Sequence, residues 1–127
     1  CHINFVTPVS FKRQGKYLIF PEVRLIFQSL LARFQACDFS VTLGGEETLE
    51  EAVKQVEIIE YQLRSRKFYL ENTAVKGFQG RIVMKVNGPQ MFVNVINLLL
   101  NFGRYSGVGI KTALGMGAME MIERRRA

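Results

Sequence analysis

The chain has 127 residues, of which 48% are hydrophobic and 22% are charged, and its formal net charge is +6. A chain of this length buries roughly two-thirds of its unfolded surface, so one ordinary domain is expected to fold without a disulfide or a metal. The composition excludes a disordered tail, a collagen-like chain and a coiled coil.

Few residues of the chain are suited to metal, disulfide or membrane chemistry. Cys1, Cys37 and His2 are too few for a structural zinc site, so we expect no metal and no cofactor. Glycine, proline and asparagine interrupt the longest nearly uncharged run, residues 86–103, which argues against a membrane partner. The expected compartment is a reducing cytoplasm.

The positive charge is distributed unevenly. Residues 44–60 hold six Glu and one Lys, so the other 110 residues carry 16 positive and five negative charges. Such a surplus on a small domain favours a polyanionic partner, of which RNA or DNA is the commonest. An ordinary soluble basic surface is the alternative.

The first part of the chain predicts a strand over residues 2–7, a hairpin over residues 11–20 and a helix over residues 22–35. Ile3 and Phe5 have the alternation of a half-buried strand, which Pro8 ends. Gly15 is suited to the hairpin turn. The helix follows from apolar residues at helical spacing, from Val23 onward.

The middle of the chain predicts a loop over residues 38–48, one or two solvated acidic helical turns over 46–54, a strand over 56–70, a turn over 72–77 and a strand over 80–87. The first of these strands is rich in β-branched and aromatic residues. The second alternates cleanly, with Arg81, Val83 and Lys85 on one face and Ile82, Met84 and Val86 on the other.

A second helix is expected from Gly88 to about Arg104, followed by a loop over residues 103–112 and a final strand over 113–122. The helix has one narrow polar stripe, formed by Gln90, Asn94, Asn97, Asn101 and Arg104. Packing on one sheet face needs an apolar stripe of only about 100°. The rest of the helix is apolar, so part of it is expected to meet a second partner.

The element order is strand, helix, strand, strand, helix, strand. Two split βαβ units with right-handed crossovers predict an α+β, ferredoxin-like (RRM-like) fold, with a four-stranded antiparallel sheet and two helices on one face. The other face of the sheet would then be open. The polar residues expected on it are His2, Asn4, Arg64, Arg66, Arg81 and Lys85, for which an ordinary solvated surface is the alternative to RNA binding.

The most informative segment is residues 106–117, Ser-Gly-Val-Gly-Ile-Lys-Thr-Ala-Leu-Gly-Met-Gly. Glycines permit positive φ and close backbone approach, and successive free N–H groups with one cation, Lys111, would form a nest for a phosphate. Ile110 separates the preceding glycine from Lys-Thr, which excludes a Walker A loop. A tight turn before a strand is an equally typical use of such glycines.

The spacing Gly-hydrophobic-Gly, five residues, Gly-hydrophobic-Gly resembles the signature loop of the RAMP superfamily, in the form found in CRISPR repeat-processing endoribonucleases. Four upstream features resemble successive landmarks of the carboxy-terminal domain of those enzymes: residues 5–8 (Phe-Val-Thr-Pro), Phe11, residues 20–34 (from Phe-Pro-Glu to Ala-Arg-Phe) and residues 77–81 (Gly-Phe-Gln-Gly-Arg). The likeness covers nearly the whole chain.

The resemblance implies that residues 1–127 are a single RAMP domain, the carboxy-terminal half of a protein with two tandem ferredoxin-like domains. Such a protein binds the repeat of a CRISPR precursor transcript and cuts it without a metal, by attack of a ribose 2′-hydroxyl that leaves a 2′,3′-cyclic phosphate. Its catalytic groups usually lie in the first domain, so the catalytic residues here are unknown and His2 has no supported catalytic role. The implied partners are CRISPR repeat RNA, the amino-terminal domain of the same protein, and a second copy or other CRISPR-associated subunits.

The candidate RNA-binding residues fall in two groups. The glycine segment contributes Gly107, Gly109, Lys111, Thr112, Gly115 and Gly117, with Arg104 just before it. The hairpin contributes Lys12, Arg13 and Lys16 beside Phe11 and Tyr17, since cations next to aromatics suit phosphate and base contacts. A solvated hairpin tip is the alternative for the second group.

The sequence is compatible with three functions. The first is the RNA-binding half of a metal-independent endoribonuclease. The second is a non-catalytic RAMP subunit that holds guide RNA in an effector complex. The third is a ferredoxin-like regulatory or small-ligand module, whose glycines only shape turns.

Overall fold

The computed structural model of the chain describes residues 1–37 and 45–122. The described strands are β1 (His2–Val9), β2 (Phe11–Arg13), β3 (Lys16–Leu18), β4 (Val56–Leu70), β5 (Thr73–Val86) and β6 (Met119–Met121). The described helices are α1 (Val23–Ala36), α2 (Gly45–Val53) and α3 (Gln90–Ser106), with a 3₁₀ turn over Thr112–Leu114. Residues 38–44 of the predicted loop lie outside the described residues, and its last four residues belong to α2.

Four strands form one sheet in the order β4-β5-β1-β6, and every neighbouring pair is antiparallel. β1 and β4 are therefore parallel to each other with β5 between them, and α1 connects them across one face. This is the strand order of the ferredoxin-like fold, so the predicted α+β class is confirmed. β2 and β3 pair as a separate hairpin. Within the described ranges, no helix is long and apolar enough to cross a membrane.

The hydrophobic core lies between the sheet and the helices α1 and α3. Ile3 and Phe5 of β1 and Ile82 and Met84 of β5 are buried, as their alternation predicts. Each such side chain contributes roughly 1.5–3 kcal/mol when removed from water. The helices add Ile26, Phe27, Leu30, Leu31 and Phe34 from α1, and Ile96, Leu99 and Leu100 from α3.

The third helix, α2, packs against both α1 and α3 and buries Leu49 and Ala52. It therefore covers part of the apolar surface of α3 that the sequence assigned to a second partner. Met91 and Leu98 of α3 stay exposed, at 60% and 39% of their surface.

The turn predicted over residues 72–77 is wrong, because β5 already begins at Thr73. Leu70 of β4 pairs with Thr73 of β5, so the two long strands form one continuous ribbon with a two-residue turn. Gly77 lies inside β5, where a Cβ would be 2.3 Å from the carbonyl oxygen of Val9. This glycine permits the close approach of another strand and does not mark a turn.

The predicted strand over residues 113–122 is also wrong over most of its length. Only Met119–Met121 forms a strand, and a 3₁₀ turn occupies the start of the segment. Gly115 and Gly117 have φ angles of 102° and 74°. Two left-handed residues so close together are incompatible with extended backbone, although the apolar residues of the segment imitate the alternation of a strand.

Candidate functional site

The candidate site centres on the glycine loop, residues 107–118, which connects α3 to β6. The backbone passes close to its neighbours at two glycines: a Cβ on Gly109 would be 2.4 Å from the carbonyl oxygen of Ser10, and one on Gly117 would be 2.0 Å from that of Val108. Only glycine fits at either position. The loop is therefore packed tightly against the end of β1.

Most N–H groups of the glycine loop have acceptors inside the domain. Val108 donates to the carbonyl of Gly117 (3.0 Å), Gly117 to that of Pro8 (2.8 Å), and Ile110 to that of Ser10 (3.0 Å). The prediction of a phosphate nest built from successive free N–H groups is therefore wrong for these positions. Among the described residues, the backbone N–H groups of Lys111, Thr112 and Ala113 have no acceptor.

Lys111 is displayed at the tip of the glycine loop in a left-handed conformation, with φ 59° and ψ 28°. Its carbonyl accepts the N–H groups of Leu114 (3.0 Å) and Met116 (3.3 Å), which fixes its backbone. The side chain is exposed and makes no ion pair within residues 1–37 and 45–122. The loop therefore presents one uncompensated positive charge from a fixed backbone position.

Two residues of α1 support the glycine loop, and the sequence analysis did not identify either of them. The Arg33 guanidinium donates to the hydroxyl oxygen of Thr112 (2.7 Å) and to the carbonyl oxygen of Gly109. Ser29 accepts the N–H of Gly109 at 2.9 Å. A sequence signal existed: Ser29 and Arg33 are polar residues four positions apart on a helix face flanked by the core residues Leu30 and Phe34.

Thr112 is held in place from two sides. Its hydroxyl oxygen accepts a hydrogen bond from Arg33, and its methyl group packs over Gly107, where a Cβ would lie 3.0 Å from it. Because the hydroxyl oxygen already accepts from Arg33, its own proton is available for donation. Thr112 is half-buried, so part of its side chain is accessible at the surface of the loop.

The hairpin cations Lys12, Arg13 and Lys16 do not share one face of the hairpin. Ile110 bonds the carbonyl of Ser10, the residue just before β2, so the base of the hairpin contacts the loop. The structure places the three cations and two aromatics as follows: Lys12 over the Tyr17 ring (5.5 Å), Arg13 in an ion pair with Glu22 (3.0 Å), Lys16 exposed, and Phe11 in the core. Phe11 is therefore not available to stack on a base.

Arg104 is exposed in the last turn of α3, three residues before Gly107. The helix continues to Ser106, so Arg104 lies on helical backbone and not in the loop that was predicted to begin at residue 103. Its neighbour Tyr105 is 85% exposed. Both side chains lie within one helical turn of the start of the glycine loop.

The open face of the sheet carries the polar residues that the sequence placed there. Arg81 lies opposite Asn4 on one neighbouring strand and Gln62 on the other. Its guanidinium donates a hydrogen bond to the amide oxygen of Gln62 at 2.7 Å. Arg64 and Arg66 lie opposite Gln79 and Gly77. The register also puts three carboxylates on this face, which the sequence analysis did not emphasise: Glu57, Glu60 and Glu120.

The open face therefore has mixed charge. On the two central strands, β1 and β5, it presents no Phe, Tyr or Trp side chain. RRM domains stack bases on aromatic side chains at such positions. Within the described residues, no group of three His, Cys, Asp or Glu side chains is arranged to hold a metal ion. The glycine loop is therefore the better candidate for contact with a nucleic acid.

The fold and the glycine loop together define a RAMP-type ferredoxin-like domain, in agreement with the sequence resemblance. Residues 3–119 match the family model of the CRISPR-associated endoribonuclease Cas6. The chain belongs to the Cas6 family.

Curated relatives and solved structures agree with this assignment. The chain is 38% identical over 123 residues to the CRISPR-associated endoribonuclease Cas6 of Streptococcus thermophilus, and the match covers 97% of the chain and 51% of that relative. It is 35% identical to the Mycobacterium tuberculosis Cas6, covering 94% of the chain and 38% of that relative. The chain thus spans about half, or less, of the length of these relatives.

Two solved structures have a similar fold. A Cas6 product complex superposes with a TM-score of 0.84 at 29% identity, covering 96% of the chain and 50% of its own chain. Thermus thermophilus Cas6 superposes with a TM-score of 0.78 at 25% identity, covering 93% of the chain and 51% of its own.

Proposed function

We propose that the chain is the RNA-binding, carboxy-terminal half of a two-domain, metal-independent endoribonuclease that cuts CRISPR precursor RNA within its repeats. The observation that carries this proposal is the glycine loop, which holds Lys111 exposed and without an ion-pair partner among the described residues. The Cas6 family assignment and the half-length coverage of the relatives support it.

The reaction proposed for the whole protein is an internal transesterification of RNA. The ribose 2′-oxygen forms a bond to the adjacent phosphorus while the bond from phosphorus to the 5′-oxygen breaks, which gives a 2′,3′-cyclic phosphate. A general base takes the 2′-hydroxyl proton, and the leaving 5′-oxygen gains a proton. We assign no residue of this chain to either proton transfer. His2, the one histidine of the sequence, lies in β1 on the open face of the sheet.

The role of this chain is to bind and position the repeat RNA. The Lys111 ammonium group contacts a backbone phosphate, and the Thr112 hydroxyl donates to a neighbouring phosphate or sugar oxygen. Lys12 and Lys16 extend the positive surface along the hairpin, and Arg104 extends it along α3. The amino-terminal domain of the longer protein supplies the catalytic groups.

The test is binding of a labelled repeat RNA, transcribed from the CRISPR array of the same genome, by the 127-residue chain and its variants. Lys111→Gln is expected to weaken binding about tenfold, which corresponds to ~1.4 kcal/mol, and to lower the salt slope by about one. Lys54→Gln removes the same charge at the residue that follows α2, where Lys54 pairs with Glu51 at 3.0 Å. This control is expected to change the affinity less than about twofold.

Three outcomes separate the competing functions. If neither the chain nor the full-length protein binds repeat RNA, the proposal is wrong and a regulatory or small-ligand module is favoured. If the full-length protein binds but never cuts the RNA, a non-catalytic RAMP subunit is favoured. The isolated chain is expected to bind more weakly than the full-length protein and to cut little or no RNA, so robust cleavage by the chain in EDTA would contradict the division of roles.

A further inference from the structure

We propose that Arg33 is a positioning residue for the RNA site: it holds the glycine loop in the shape that places Lys111 and Thr112. The inference rests on the proposed function, because the affinity it affects is affinity for repeat RNA. Arg33 is half-buried in the last turn of α1, and within the described residues it forms no ion pair.

Two side chains of α1 hold both backbone polar groups of one residue in the loop, Gly109. Arg33 donates to the carbonyl oxygen of Gly109, and Ser29 accepts the N–H of the same residue at 2.9 Å. Ser29 and Arg33 are one helical turn apart, so they project from the same face of α1. The position of Gly109 is therefore fixed relative to α1, whose residues Leu30 and Phe34 are buried in the hydrophobic core.

Arg33 also bridges the parts of the loop that precede and follow Lys111. One nitrogen of its guanidinium bonds the Gly109 carbonyl, before Lys111, and the other bonds the Thr112 hydroxyl at 2.7 Å, after Lys111. The planar fork of an arginine can make both bonds at once, which the single ammonium of a lysine cannot do with the same geometry. The backbone of Lys111 is thus constrained on both sides.

The bond from Arg33 also changes the chemistry of the Thr112 hydroxyl. Because its oxygen accepts from a cation, the hydroxyl becomes a better donor to a second group. Its methyl group contacts Gly107, which restricts rotation of the side chain. Arg33 therefore holds the Thr112 hydroxyl as well as the backbone on either side of Lys111, and its guanidinium bonds only loop atoms among the described residues.

The experiment measures the Kd of the same labelled repeat RNA across a range of salt concentrations for the parent chain, Arg33→Met, Lys111→Gln and the double variant. Arg33→Met is expected to weaken binding about tenfold in the parent and only about threefold when Lys111→Gln is already present, because the contribution through Thr112 remains. The salt slope of the double variant is expected to match that of Lys111→Gln alone.

The matched control is Arg24→Met, which makes the same substitution on the same helix. Arg24 is exposed, and its guanidinium pairs with the carboxylate of Glu50 in α2 at 2.8 Å. Its partner therefore lies in α2 and not in the glycine loop. It is expected to change RNA affinity less than about twofold. Arg33→Lys is expected to recover part of the affinity, since it retains one of the two hydrogen bonds.

A second variant keeps the test informative if Arg33→Met does not fold. Ser29→Ala removes the hydrogen bond that the Ser29 hydroxyl accepts from the Gly109 N–H, and it changes no charge. It is expected to weaken RNA binding about threefold and to lower the melting temperature by no more than ~4 °C.

Three results would overturn the inference. The first is an equal loss from Arg33→Met with and without Lys111→Gln, since positioning of Lys111 predicts strong coupling. The second is a further fall of the salt slope by about one in the double variant, which would make Arg33 a direct phosphate contact. If the parent chain does not bind repeat RNA, it is the proposed function that fails. If the parent binds and Lys111→Gln weakens binding, but Arg33→Met behaves like Arg24→Met, only the inference fails.

Discussion

Replacing Lys111 by glycine should make the protein more stable while it weakens RNA binding. Lys111 has a φ angle of 59°, in the left-handed region, which costs a residue with a Cβ about 1–2 kcal/mol. Glycine adopts this conformation freely, but it loses about 0.4–1 kcal/mol through the greater entropy of the unfolded chain. The net effect of Lys111→Gly is a stabilisation of about 0.5–1 kcal/mol.

This free energy is large enough to measure. For a domain of 127 residues, each kcal/mol corresponds to about 4 °C in melting temperature, so Lys111→Gly should melt about 2–4 °C higher than the parent. The same substitution removes the ammonium group, so repeat RNA should bind about tenfold more weakly.

Gln14 provides a matched control, since it has a φ angle of 51° in the two-residue turn between β2 and β3 and carries no charge. Gln14→Gly should raise the melting temperature by a similar amount and leave the RNA affinity within about twofold of the parent. Thermal unfolding followed by circular dichroism and RNA binding by fluorescence anisotropy are the two assays. If Lys111→Gly melts lower than the parent, the argument from strain is wrong. If its RNA affinity equals that of the parent, Lys111 is not a contact.

Two further predictions concern stability alone. Gly117→Ala should lose more than about 2 kcal/mol in urea denaturation, because its Cβ would lie 2.0 Å from the Val108 carbonyl oxygen. Gly115→Ala, whose Cβ would meet only the Phe68 ring at 3.5 Å, should lose about 1–2 kcal/mol, and equal losses at the two positions would contradict the packing argument. Arg13→Gln breaks an exposed ion pair of 3.0 Å with Glu22 and should cost less than about 1 kcal/mol; a larger loss would mean that this pair fixes the hairpin.

Local patterns predicted the sheet and the two long helices, because burial imposes its period directly on the sequence. Ile82 and Met84 are buried and Arg81 is exposed, as their alternation requires. Gly77 was misread, since a glycine that admits a neighbouring strand has the same appearance in sequence as one that makes a turn. The difference depends on which strand lies beside it, and this is a property of the tertiary fold.

The candidate site was predictable in its position but not in its construction. The glycine spacing pointed to the loop and to Lys111, whereas the supports from α1 join residues that are 76 to 80 positions apart. No local pattern encodes a contact of that separation. Phe11 illustrates the opposite error: an aromatic beside lysines suggested base stacking, but the ring packs against Phe78 in the core, with the ring centroids 6.5 Å apart.

The attachment of the glycine loop to β1 has a consequence for the order of folding events. The bond from the Ala118 N–H to the Thr7 hydroxyl spans 111 positions of the chain, and the Gly117 and Ile110 bonds to the end of β1 are of similar separation. Contacts between residues so far apart in the chain are expected to form late, because the intervening chain must lose conformational entropy before the hydrogen bonds can form. The loop is therefore expected to become ordered only as the sheet assembles, and a partly folded chain is expected to lack the binding surface.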